Sequence, residues 1–335
     1  MRVAFWRIDF AAAGPGAALG AILERRPNTV AMAQVIAGLV PDILVLSGVD
    51  YDAQGHTAAA FNSLIAEQGH HLPHMFAPTP NAGMPSGVDL NGDGWAHGED
   101  DAHGYGGYPG ARALLLLSKH PWATERLRDF SQTLWRDVPD ARLFSGATSS
   151  QLAVHRLSSV AHIALPVLLP TGAELWLLAY HAGPPRFGDH PDRNLNRNHD
   201  ESAFWSLWLS GKLADVPPDA PFILVGGSNL DPFDGDGMSD AMRHLLAHPR
   251  LQDPRPSGPG GILAADPDHL GPPEHDTVDW DGPQGNLRVS YVLPSSDVTV
   301  HASGVLWPLP DTPLADLLKA TNTAHKPVWV DLSLN

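Results

Sequence analysis

Short apolar runs, separated by helical patterns and turns rich in Gly, recur along the chain and limit what it can fold into. Residues 42–49 form a continuous apolar run, typical of a strand that is buried on both faces. Further strands are predicted at residues 3–8, 112–118, 158–169, 173–180, 222–225, 287–293, 298–305 and 328–332. Helices are predicted at residues 17–40, 58–68, 199–212 and 237–248, with Asn198 as the cap of the third. This mixture predicts one layered α/β domain over residues 1–335.

The composition excludes several classes of protein. No window approaches the roughly 20 apolar residues of a membrane helix, and the first residues lack the features of a signal peptide. We therefore expect a soluble cytoplasmic protein with no membrane partner, or an exported one if the natural chain begins before Met1. The chain has no Cys, which excludes disulfides and cysteine nucleophiles. Its net charge of −16, with 21 basic against 37 acidic residues, predicts that nucleic acid is not a partner.

Four sequence segments, taken together and in their order along the chain, indicate which family the chain resembles. They are residues 42–52 (DILVLSGVDYD), 180–201 (YHAGPPRFGDHPDRNLNRNHDE), 226–237 (GGSNLDPFDGDG) and 286–294 (NLRVSYVLP). Together they resemble the endonuclease/exonuclease/phosphatase superfamily, and most of all a bacterial branch of it. The resemblance implies a four-layered α/β/β/α sandwich, in which two packed mixed β-sheets are flanked by helices. It also implies metal-assisted attack of water on a phosphate ester.

The family's reaction needs oxygen ligands for Mg²⁺ or Mn²⁺ and acid/base groups around the phosphate. Nine positions of this chain correspond to the side chains that the family uses. Three of them keep the family's residue, and these are His181, Asn229 and His325. At the other six, where the resemblance implies Asn, Glu, Tyr, Asp, Asp and Asp, the chain has Arg7, Gly48, Arg112, Gly227, Ser290 and Ala324. None of the expected carboxylates is present.

These losses predict a pseudoenzyme that keeps the fold without the usual metal. A hard divalent cation needs oxygen ligands, so Gly48 removes its main anchor. Arg7 and Arg112 would repel Mg²⁺ and attract an anion. The leading hypothesis is a cleft in which these two arginines, with His181 and His325, bind a small anionic ligand without Mg²⁺ or Mn²⁺.

A working hydrolase with relocated ligands is the alternative. Asp9 and Asp50 each lie two residues past a lost position and so on the same strand face, and Asp231 lies two residues past Asn229. These three could rebuild an oxygen cage for a metal-dependent phosphodiesterase or phosphatase acting on a small phosphorylated substrate. Asp is also common at strand ends and turns, which is the simpler interpretation.

A second motif is independent of that chemistry. Residues 89–100 read DLNGDGWAHGED, which fits the D-x-N-x-D-G opening of a calcium loop. The predicted Ca²⁺ ligands are Asp89, Asn91, Asp93, Trp95 through its carbonyl, and Asp100 at the last position. A polar turn rich in Gly is the alternative interpretation. A calcium-stabilised interaction protein is therefore a third hypothesis.

Overall fold

The computed structural model describes residues 1–10, 14–188, 190 and 192–334. Within them the strands are β1 (Arg2–Arg7), β2 (Ile43–Val49), β3 (His74–Phe76), β4 (Ala113–Ser118), β5 (Arg128–Asp129), β6 (His162–Leu168), β7 (Glu174–His181), β8 (Phe222–Gly227), β9 (Ser290–Pro294), β10 (Val298–Val305) and β11 (Val328–Leu334). The helices are α1 (Ala17–Leu23), α2 (Pro27–Leu39), α3 (His56–Glu67), α4 (Ser149–Val154), α5 (Arg193–Leu209), α6 (Asp240–Leu246), α7 (Pro259–Leu263) and α8 (Pro313–Ala320). None of the helices in this part of the chain is long and apolar enough to cross a membrane.

Two mixed sheets contain these strands. The six-stranded sheet has the order β10-β11-β1-β2-β4-β3, and the five-stranded sheet has the order β5-β6-β7-β8-β9. Each sheet has one parallel pair, β1 with β2 and β7 with β8, and its other pairs are antiparallel. Because the two strands of a parallel pair end at the same edge of a sheet, the last residues of β1 and β2 lie side by side, as do those of β7 and β8.

Burial on both faces of the sheets produces the layers. Every residue of β2 is buried. Ile43 and Val45 belong to the core between the sheets, whereas Leu44 and Leu46 belong to a second core that includes Phe61 of α3. The alternation follows from the period of two in a strand, with one face on the partner sheet and the other under helices.

Helix α5 covers the outer face of the five-stranded sheet in the same way. Trp205 and Trp208 are fully buried there, in a core shared with Leu178 of β7 and Leu224 of β8. The layers are therefore helices, sheet, sheet and helices. This confirms the four-layered α/β/β/α sandwich that the resemblance implies.

Several element boundaries differ from the prediction. Helix α5 begins at Arg193 rather than at residue 199, so Asn198 lies inside the helix and is not its cap. Helix α4 was not predicted, although Thr148 and Gln151 form a capping box at its start. A capping box is a recognisable sequence signal for the start of a helix. Helix α8 was missed too, and it follows Thr312 as a cap. Strands β3 and β5 were not predicted either, because they contain too few residues to show an alternating pattern.

Candidate functional site

Eight of the nine family positions lie within three residues of a strand end on one edge of the sandwich. Arg7 ends β1, Gly48 is the second-last residue of β2, and His181 and Gly227 end β7 and β8. Arg112 precedes β4, Ser290 begins β9, and Asn229 follows β8 by two residues. His325 lies three residues before β11. The antiparallel strands start where the parallel ones end, so the topology brings these side chains together.

A cavity of about 1100 Å³ opens at this edge. Its wall includes both arginines, Arg7 and Arg112, together with His181, Asn229 and His325. No carboxylate of a described residue lies within 4.0 Å of either guanidinium. Burial and the neighbouring Arg112 lower the pKa of Arg7, against the charge of Asp9, which raises it. Both arginines thus add positive charge to the cavity wall.

The two cavity histidines at family positions, His181 and His325, are held neutral. Arg7 Nη1 lies 2.6 Å from His181 Nε2. Since a guanidinium only donates, this Nε2 accepts and the ring proton is on Nδ1. Burial, followed by the charge of Arg7, keeps the pKa of His181 well below its usual range, and burial with Arg7 and His181 does the same to His325. Within the described chain, neither Nδ1 atom has a hydrogen-bond partner.

The two glycines at family positions stand where a side chain does not fit. Gly48 lies in a β-bulge with φ +87°, and a Cβ built on it would be 1.7 Å from the carbonyl oxygen of Ile8. A Cβ on Gly227 would be 2.5 Å from Nδ1 of His181. His181 therefore occupies the space beside Gly227 that a larger residue would enter.

The remaining changed positions have become part of the packing. The backbone amide of Ser290 donates to Oγ1 of Thr277 at 3.1 Å, and Ser290 is buried. Ala324 packs against an apolar cluster that includes Val278 and Leu287. Neither residue is hydrogen-bonded to the ring of His325, which contacts the ring of Trp280 edge-on with centroids 5.6 Å apart.

The three aspartates considered as relocated ligands do not converge. Asp50 accepts from Tyr108 Oη at 2.5 Å and from the amide of Arg112 at 3.3 Å. Asp231 accepts from three backbone amides, those of residues 233, 234 and 288. Asp9 acts on Asp50 through its charge and so raises the pKa of that carboxyl, whose main cause of elevation is burial. Across residues 1–10, 14–188, 190 and 192–334, no three His, Asp or Glu side chains are grouped so as to hold a metal ion.

Comparison with known proteins accounts for this arrangement of strand ends. The profile of the Endonuclease/Exonuclease/phosphatase family matches residues 14–321. The chain belongs to the endonuclease/exonuclease/phosphatase family. No curated protein matches it.

Solved structures of the endonuclease/exonuclease/phosphatase family share its fold at low sequence identity. One from Beutenbergia cavernae has a TM-score of 0.59 and 19% identity, covering 100% of this chain and 72% of that one. One from Bacteroides vulgatus has a TM-score of 0.56 and 13% identity, covering 100% and 98%. The mannosyl-6-phosphatase of Bacteroides thetaiotaomicron has a TM-score of 0.53 and 16% identity, covering both chains completely. These likenesses show the fold.

The polar inner face of α5 holds the loops around the cavity of this family member in place. These hydrogen bonds were not predicted from the sequence. Arg197 donates to the carbonyls of residues 103, 156, 157 and 158. Asn198 donates to the carbonyls of Gly183 and Ser228 at 2.7 Å each. Glu201 accepts from Gly183 N at 2.8 Å and from Ser159. The signal available in the sequence was the spacing of residues 193, 197 and 201, which places them on one helix face.

We expect Glu201 to make the stability of the protein depend on pH. Burial raises the pKa of Glu201 from its ordinary 4.5 to about 7. The folded chain thus binds more protons than the unfolded chain in this range, and its free energy of unfolding falls as pH rises through it. Between about pH 5 and about pH 8, the free energy of unfolding measured in urea should fall by on the order of 3 kcal/mol more in wild type than in Glu201→Gln. Equal losses in the two proteins would contradict this, and Glu67→Gln, at an exposed ion pair, is the control.

Residues 89–100 form a loop closed by its own side chains. Asp89 accepts from the amides of Gly92 and Gly94 at 2.6 and 2.8 Å, and Asp93 accepts from the amide of Trp95 at 2.8 Å. Asn91 Oδ1 accepts from the amide of Asp93 at 3.1 Å. Asp100 lies at the cavity wall. Calcium binding by this loop stays a prediction.

A thermal-shift titration would test that prediction. If the loop binds Ca²⁺, saturating Ca²⁺ raises the Tm by an amount set by its affinity, roughly 2.7 kcal/mol of stabilisation at a hundredfold excess over Kd. The shift should vanish in Asp89→Ala and persist in Asp52→Ala, where another aspartate that accepts from backbone amides is removed from the start of α3. A Tm that is the same with and without Ca²⁺ would refute calcium binding.

Proposed function

We propose that this member of the family binds a small anionic ligand in its cavity and has lost the metal-dependent hydrolysis that the family resemblance implies. The single observation that carries the proposal is the pair of guanidiniums, Arg7 and Arg112, at the cavity wall without a carboxylate partner among the described residues. Guanidiniums that form no salt bridge attract phosphate, sulfate or carboxylate groups, and the planar guanidinium binds such groups with two parallel hydrogen bonds.

The donor set supports an anion rather than a cation. His181, Asn229 and His325 add hydrogen-bonding atoms to the same wall. A hard divalent cation would need carboxylate oxygens, and the four positions that the resemblance implies for them hold Gly48, Gly227, Ser290 and Ala324. Aspartates such as Asp231 and Asp234 do line the cavity, but no three His, Asp or Glu side chains of the described residues are grouped so as to hold a metal ion. The residues present thus do not fit Mg²⁺ or Mn²⁺, and we derive no catalytic step through either ion.

Anion binding should become tighter as the pH falls. An anion beside His181 and His325 favours their protonated forms, and burial and Arg7 disfavour those forms in the free protein. Binding therefore raises both pKa values and takes up protons, so affinity increases towards lower pH. Calorimetry of phosphate binding in two buffers of different ionisation enthalpy would measure the proton uptake directly.

Phosphate titration beside a hydrolysis assay tests the proposed function. Wild type should bind inorganic phosphate, and Arg112→Gln should weaken binding by roughly tenfold or more through the loss of a charged hydrogen-bond donor. Arg25→Gln, at an exposed ion pair with Glu67, is the matched control and should bind as wild type does. Absence of phosphate binding by wild type would refute the proposal.

The alternative function, a hydrolase with relocated ligands, gives the opposite result in the hydrolysis assay. Aryl phosphate monoesters and diesters would be offered with Mg²⁺, Mn²⁺ or Ca²⁺. Turnover that needs the metal and is abolished in His325→Ala would support the alternative and direct attention to Asp9, Asp50 and Asp231. Under our proposal, wild type and His325→Ala show the same background rate.

A further inference from the structure

Four exposed apolar side chains lie on three adjoining segments next to the cavity. Leu270 is 84% exposed, and Leu263, Ile262 and Phe233 are 65%, 57% and 55% exposed. We call these four residues the apolar patch. Within the described chain, none of them lines the cavity or belongs to a hydrophobic core. Single exposed apolar side chains are normal, whereas a group of them on adjoining segments is typical of an interaction site.

Close packing joins the three segments. Asp234, next to Phe233, accepts from the amides of Leu270 and Gly271 at 2.8 and 2.7 Å. A Cβ built on Gly271 would be 3.3 Å from the ring of Phe233. A Cβ built on Gly261 of α7 would be 2.2 Å from the carbonyl oxygen two residues past Gly271. The backbone under the patch is therefore held in place without a partner, which limits the conformational entropy lost on binding.

The part of the chain that carries most of this patch is strongly acidic. Residues 256–287 contain six Asp and Glu and neither Lys nor Arg, hence a formal charge of −6. Lys326, from outside the segment, pairs with Asp279 at 3.3 Å. One cation against six carboxylates leaves an excess of negative charge. Apolar side chains within such a segment fit a partner that combines apolar side chains with positive charge.

We propose that the apolar patch binds a basic amphipathic segment of a partner protein. The apolar side chains of that segment would pack on Leu270 and Phe233, and its Lys and Arg side chains would lie against the carboxylates of residues 256–287. Nucleic acid and anionic lipid headgroups carry the same sign of charge as this surface and are repelled by it. A second copy of the chain would bring its own net charge of −16 and the same acidic segment to the contact.

A synthetic amphipathic helix of Lys and Leu is the probe for this site. Wild type should bind it, should bind a peptide with Ser in place of Leu far more weakly, and should not bind one with Glu in place of Lys. The double variant Phe233→Ser/Leu270→Ser should bind the Lys–Leu peptide roughly tenfold more weakly or worse, because two apolar anchors are lost. Leu270→Ser alone, at the most exposed position, should show part of the loss.

The matched control is Leu23→Ser/Val216→Ser, which removes two apolar side chains that are 68% and 73% exposed elsewhere on the surface. It should bind the Lys–Leu peptide as wild type does. Equal binding by the two double variants would overturn the proposal, since the peptide would then be attracted by the net charge alone. A protein dimer that Leu270→Ser dissociates, measured by analytical ultracentrifugation, would also overturn it, because a second copy would cover the patch.

Proton release provides a readout that apolar contact alone would not change. Burial, followed by the charges of Asp231 and Asp234, raises the pKa of Asp276 to about 8, and Glu274 and Asp266 act in the same direction. Cations of the peptide favour the ionised form, so binding lowers this pKa and releases protons, and affinity increases as pH rises through about 8. Calorimetry near that pH in two buffers should detect the release in wild type and lose it in Asp276→Asn. No release by wild type would contradict the predicted position of the cations.

Discussion

Gly48→Ala is expected to lower the free energy of unfolding by about 4 kcal/mol, the largest effect that we predict for a single methyl group in this chain. The residue has φ +87°, where an L side chain is strained, and its Cβ would lie 1.7 Å from the carbonyl oxygen of Ile8. That oxygen belongs to the main chain next to β1 and cannot turn away as a side chain could. The strand ends must therefore separate, at the cost of their hydrogen bonds. Urea denaturation followed by tryptophan fluorescence would measure the loss.

Gly55→Ala is the matched control. Gly55 has φ +70° as well, but a Cβ built there has nothing within 4 Å. Its substitution carries only the backbone strain, about 1 kcal/mol. Similar losses in the two variants would show that the contact with Ile8 relaxes easily. In that case Gly48→Glu could place a carboxylate at the cavity, and our argument against a metal ion would lose its main support.

Arg7→Met is expected to weaken phosphate binding by roughly fiftyfold while raising the free energy of unfolding by about 1 kcal/mol. Burial and the nearby Arg112 disfavour the charge of Arg7, as the lowered pKa shows. Met fills a similar volume without a charge, so the folded state gains what the half-buried cation cost. A ligand anion loses one of its two arginines. Calorimetry and denaturation of the same preparation would give both numbers.

Arg2→Met, on the same strand, should behave in the opposite way. Arg2 forms a bidentate ion pair with Asp331, with nitrogen–oxygen distances of 2.7 and 2.8 Å. Its loss should reduce stability and leave phosphate binding unchanged, because Arg2 is at the other end of β1. If Arg7→Met also destabilises the protein, then Arg7 has a structural role that outweighs the cost of its charge. If Arg7→Met binds phosphate normally, the anion site lies elsewhere.

The sandwich could be predicted from the sequence because its strands are buried on both faces and read as uninterrupted apolar runs, as in β2. The position of His181 and His325 at one edge followed from the resemblance. The inner face of α5 could not be predicted in the same way. Arg193, Arg197 and Asn198 look like solvated loop residues, and only the loops that they contact turn them into buried donors.

The space around the two glycines at family positions also could not be predicted from the sequence. Gly48 and Gly227 read as simple deletions of side chains, which a single substitution could reverse. Whether the space remains open depends on atoms distant in the chain, the carbonyl of Ile8 and the ring of His181. The partners of Asp50 and Asp231, which come from other loops, were likewise invisible in a strand pattern.

The ring of His181 beside Gly227 has a consequence for evolution. An Asp at residue 227 must displace that ring, whose Nδ1 would lie 2.5 Å from the new Cβ, and this breaks its contact with Arg7. A selection for metal-dependent turnover that proceeds one substitution at a time would therefore pass through variants weakened in both stability and anion binding. Under the proposed function, a gain of metal-dependent turnover is epistatic, since changes at residues 7, 48 and 227 help only in combination. Directed evolution from this scaffold should begin from libraries that vary these three positions simultaneously.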